Sequence, residues 1–70
     1  MKVWAYNNLV REYKSRIATN KVIEGFMERS ENRTGFYYLD AKKKHALNAS
    51  VAADLLVTIR EAKKAGLVNA

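Results

Sequence analysis

Lys42-Lys43-Lys44-His45-Ala46-Leu47-Asn48-Ala49-Ser50-Val51-Ala52-Ala53-Asp54-Leu55-Leu56-Val57-Thr58-Ile59-Arg60-Glu61-Ala62-Lys63-Lys64-Ala65-Gly66-Leu67-Val68 is a basic run that passes into an amphipathic segment. Val51, Leu55, Ile59 and Ala62 recur at helical spacing with Leu56 beside them, which predicts a helix with one apolar stripe over residues 51 to 65. Ser50 carries the short oxygen that satisfies a free amide at a helix start, and Gly66 suits the left-handed backbone that ends one. Leu67 and Val68 can then fold back on the last turn, where Lys63 and Lys64 complement the helix dipole.

Upstream, residues 40 to 47 admit three readings. They form the second strand of a ribbon, a short helix capped by Asp40, or the start of one unbroken helix from Asp40 to Ala65. Asn48-Ala49-Ser50 favours a break, because Asn and Ser compete for local backbone hydrogen bonds. Phe36-Tyr37-Tyr38-Leu39 is dense in strand-favouring aromatics and reads as a short strand after the polar loop Ser30-Glu31-Asn32-Arg33-Thr34-Gly35.

Toward the N-terminus, Val3, Tyr6, Val10, Tyr13 and Ile17 follow a 3-4-3-4 spacing that predicts a helix over residues 2 to 18, with Trp4 and Leu9 widening its stripe. Glu12 and Arg16 form an i,i+4 pair on its exposed side. Thr19 and Asn20 can end that helix and cap another over residues 21 to 31, whose apolar face is Val22, Ile23, Phe26 and Met27. Gly25 costs this helix about 1 kcal/mol relative to alanine unless it permits a close crossing. Glu24, Glu28 and Glu31 make an acidic row on the other side. The expected fold is therefore mainly α: a small three-helix domain with at most a short β-ribbon between helices 2 and 3.

Seventy residues make one basic domain, 1 to 70. The size scaling gives a compact chain of this mass about 4,500 Å² of surface against about 11,600 Å² unfolded, so its stability margin is thin. Without cysteine and with His45 as the single histidine, neither a disulfide nor a zinc site can reinforce it, which leaves a homodimer as the remaining route. The missing cysteines suit a reducing compartment. With no apolar leader and no run near the ~20 residues needed to span a bilayer, the expectation is a cytoplasmic protein with no membrane role.

Thirteen Lys and Arg against seven Asp and Glu leave a net +6, which points to an anionic partner: nucleic acid, DNA first, or an acidic protein surface. Lys42, Lys43, Lys44, Arg60, Lys63 and Lys64 gather six of the basic residues in the C-terminal half, suited to phosphate positioning rather than base reading. Arg33 and Tyr37, or Tyr38, can add stacking beside them. A catalytic reading finds little: His45 stands among lysines and there is no glycine-rich phosphate loop, so neither enzymatic activity nor a cofactor is expected.

Residues 41 to 67 resemble a helix-turn-helix unit: Ala46 takes the small-residue position of the first helix and Val51, Leu56 and Ile59 take the buried positions. Ser50 stands where glycine is usual, and lysines fill much of the first helix. Ala65-Gly66-Leu67-Val68 is similar to the end of a winged-helix recognition helix, although no wing follows it. The resemblance implies a small non-enzymatic nucleic-acid-binding regulator docked through its basic C-terminal half. The alternative is a protein-binding modulator or inhibitor that occupies the nucleic-acid-binding or acidic surface of another protein. Charge placement discriminates: an acidic row opposite the lysines favours phosphate, and an interleaved arrangement favours protein.

Overall fold

The computed structural model describes residues 1 to 69 and contains two long helices, α1 (Val3–Arg29) and α2 (Phe36–Ala65), packed as an antiparallel hairpin. It is a rod of 50 × 14 × 14 Å. The expected three helices and β-ribbon are not formed.

Each expected boundary fails for a specific physical reason. Asn20 does not cap a new helix, because it is buried and its Nδ2 donates to the His45 carbonyl at 3.1 Å. Asn48 does not break α2, because it is buried too and its Oδ1 accepts from Arg16 Nη1 at 2.7 Å. With their side chains engaged across the hairpin, neither amide competes for its own backbone. Phe36 to Leu39 is the first turn of α2 rather than a strand, with the Leu39 amide bonded to the Gly35 carbonyl at 3.0 Å. The turn before it is shaped by Asn32, whose Oδ1 accepts from both the amide and the hydroxyl of Thr34 at 3.0 Å. Of the three readings of 40 to 47, the unbroken helix is the one formed, and it begins earlier than Asp40.

The reason the helices run on is a heptad. On α1 the seam residues are Tyr6, Leu9, Tyr13, Arg16, Asn20, Ile23 and Met27; on α2 they are Tyr38, Ala41, His45, Asn48, Ala52, Leu55, Ile59 and Ala62. All are buried or partly buried and alternate at spacings of three and four, as in a coiled coil. The buried apolar core is small, consisting of Ala52, Ile59 and Ala62. Gly25 permits no close helix crossing, since an added Cβ would meet only the flexible end of Arg29, at 3.2 Å.

At the open end Gly66 does terminate α2, with φ 96° and its amide bonded to the Ala62 carbonyl. Of the two residues expected to fold back on the last turn, Val68 does not. Val68 instead pairs in parallel with Lys2, through Val3 N–H to Val68 C=O and Val68 N–H to Met1 C=O, both 3.0 Å. These bonds clasp the two ends of the chain. No described helix is long and apolar enough to cross a membrane.

Candidate functional site

The helix-turn-helix unit expected over residues 41 to 67 is absent, since most of that stretch lies within the single helix α2. Its basic residues consequently separate. Lys42, Lys43 and Lys44 occupy one turn near the loop end, while Arg60, Lys63 and Lys64 lie at the open end. The 21 residues from Lys42 to Lys63 correspond to about 31 Å of helix. Arg33 and Tyr37 belong to the loop end with the first cluster, but the Arg33 guanidinium sits 5.8 Å over the ring of Tyr38, not Tyr37. The eight candidate residues therefore form two surfaces.

The loop-end surface has mixed charge. Glu24 meets His45 at 2.9 Å and Asp40 meets Lys44 at 3.3 Å, so carboxylates from both helices stand among the cations. Between residues 21 and 48, Lys21, Arg29, Arg33, Lys42, Lys43 and Lys44 are offset by Glu24, Glu28, Glu31 and Asp40. At the open end Arg60, Lys63 and Lys64 are exposed, and none makes an ion pair among the described residues.

The hairpin tip carries the most exposed aromatic groups. Phe36 and Tyr37 each expose 78% of their surface, and their rings meet edge to face with centroids 5.7 Å apart. Beside them, Phe26 and Tyr38 help line a shallow groove of about 210 Å³ that reaches the loop at Glu31. The cluster stands where α2 begins, after a six-residue connection from α1. No match to this chain is found among known protein families, curated proteins or solved structures.

Sequence reasoning misses two features. The strand reading conceals Phe36, although an aromatic beside a loop is also what an exposed helix start looks like. The polar centre of the seam, where Arg16, Asn20, His45 and Asn48 come together, is legible in the heptad spacing that runs through those four residues. Arg16 holds Glu12 at 3.0 Å, the i,i+4 pair expected from sequence, and reaches Asn48 with the same guanidinium. Among the described residues, no group of three or more acidic or histidine side chains is placed to hold a metal.

Proposed function

We propose that this chain is a non-enzymatic protein-binding modulator that docks the aromatic tip of its hairpin into another protein. The supporting observation is the Phe36–Tyr37 pair, two large rings left 78% exposed where α2 begins, next to the loop. Aromatic side chains supply the buried anchors of protein interfaces and bring much contact area for little lost rotamer freedom. The mixed charge toward the tip agrees with this reading, because carboxylates paired with Lys44 and His45 weaken the attraction for a phosphate backbone and can serve as a polar rim for a protein.

The test is the double variant Phe36→Ala/Tyr37→Ala, used to capture partners from the native host with and without nuclease. Both side chains are solvent-exposed, so helicity and melting temperature should hold. A partner that survives nuclease and is lost with the variant is expected. Retention of that partner by the variant, or its loss on nuclease treatment alone, would overturn the assignment.

A second reading draws on the open end, where Arg60, Lys63 and Lys64 form a cationic patch without carboxylate partners among the described residues. It is the reading of a nucleic-acid-binding protein that contacts phosphates without selecting sequence.

A further inference from the structure

We infer that a second copy of this chain docks on the open face of the hairpin to complete a four-helix assembly. The inference concerns a surface away from the aromatic tip and does not depend on what the tip binds.

The pattern of apolar residues calls for more cover than one partner helix gives. An isolated two-stranded coiled coil needs two apolar positions per heptad, whereas a helix in a bundle needs about three. Here a third position is present on both helices. Val3, Val10 and Ile17 repeat at seven-residue spacing along one flank of the α1 seam, and Ala49 and Leu56 do so along α2. These two flanks face the same side. Tyr13 and Ile17 from α1, with Ala49, Ala53 and Leu56 from α2, line the apolar part of one groove of about 390 Å³ there, whose other part is lined by polar and charged side chains that include Lys21 and the Glu24–His45 pair.

The area agrees. The chain exposes 5469 Å², about 1,000 Å² more than a compact protein of its mass. Each partner in a standard interface gives up about 800 Å², so pairing through one face would remove most of the excess. Its radius of gyration, 15.7 Å, likewise exceeds the roughly 11 Å of a compact chain of this length. Within the hairpin no large side chain is fully buried, and the chain has no cysteine for a disulfide. Association is the route by which such a small domain gains a core.

A second copy suits the groove better than an unrelated helix because the face is self-complementary. The larger Tyr13 and Ile17 stand on α1, and the small, exposed Ala49 and Ala53 stand beside Leu56 on α2. A two-fold axis across the rod sets the α1 knobs of each copy over the α2 alanines of the other, the isologous arrangement that closes a dimer.

Sedimentation equilibrium on the full chain from low to high micromolar concentration should give twice the monomer mass of 8.0 kDa. Its melting temperature should rise with protein concentration, since association stabilises by mass action. Ile17→Glu and, separately, Ala49→Glu should halve the mass, while Val22→Glu, at a 72% exposed position outside the groove, should leave it doubled. The Phe36→Ala/Tyr37→Ala variant should also remain a dimer. A wild-type chain that is monomeric throughout with a concentration-independent melting temperature would overturn the proposal. So would a dimer that survives both groove variants, which would place the second copy elsewhere.

Discussion

Asn20 is the residue on which the centre of the hairpin turns. Its Nδ2 donates across the seam to the His45 carbonyl, but its Oδ1 is buried without a hydrogen-bond partner among the described residues. A buried acceptor left unpaired costs about 1–3 kcal/mol. Such residues at a seam position trade stability for register, as a single buried Asn does in a coiled coil. The Arg16 and Asn48 side chains one turn away add to the same polar layer, and a one-heptad slip of either helix would set these groups against apolar neighbours. Asn20→Leu is therefore expected to raise stability by about 1 kcal/mol, and to broaden the distribution of assembly states. Thermal denaturation and mass measurement on the same sample check both effects; a lower melting temperature would show that the bond to His45 outweighs the orphaned oxygen.

At the scale of the helices, Ser50 separates the two interpretations of the middle of the chain. As a helix cap, replacing it with alanine would cost about 1 kcal/mol. Ser50 is instead exposed in the interior of α2, where alanine has the better helix propensity, so Ser50→Ala should stabilise by about 0.5 kcal/mol. Denaturant titration gives the sign. Ile59 tests the packing of the same helix: it is 8% exposed, and Ile59→Ala should destabilise by about 2–5 kcal/mol, whereas Val57→Ala at a 54% exposed site should change little. Equal effects of the two would mean that the seam is misplaced.

The helical stretches are legible in the sequence, but their joining into two long helices is not. The C-terminal stripe of α2, its glycine stop and the Glu12–Arg16 pair all follow from spacing and chemistry alone. The stripe on α1 is only half legible: Tyr6 and Tyr13 belong to the seam, while Val3, Val10 and Ile17 lie on its flank, partly buried at Val3 and Val10 and exposed at Ile17. The breaks at Asn20 and Asn48 mislead because Asn ends helices through local hydrogen bonds, and nothing local reveals that a partner lies across the hairpin. Trp4 shows the same limit from the other side, being 61% exposed although it extends the apolar stripe.

For the whole molecule, the decisive quantity is how charge is laid along a 50 Å rod. Both ends are cationic and both carry carboxylates, Glu24, Glu28, Glu31 and Asp40 toward the loop and Glu12, Asp54 and Glu61 toward the open end, and the two lysine clusters are too far apart to converge on one phosphate group. A rod this long could still lie along a duplex, with each cluster touching a separate stretch of backbone. Each contacted phosphate would then add about 0.9 to the slope of log affinity against log salt. Lys63→Gln/Lys64→Gln would flatten that slope by about 1.8. Lys42, Lys43 and Lys44 changed to Gln would flatten it by no more than about 2.7, and the two effects would add because the clusters are independent. The protein-binding reading predicts otherwise: a random duplex should not be retained at about 0.15 M salt, where surface charges are screened beyond about 8 Å. Any residual binding at low salt should come from the open end, where Arg60, Lys63 and Lys64 have no carboxylate partners among the described residues. Titrating one random duplex against the wild type and both lysine variants decides between them. Tight binding at about 0.15 M salt with additive slope changes would assign the rod to nucleic acid, and weak binding sensitive only to the open-end variant would leave the aromatic tip as the functional surface.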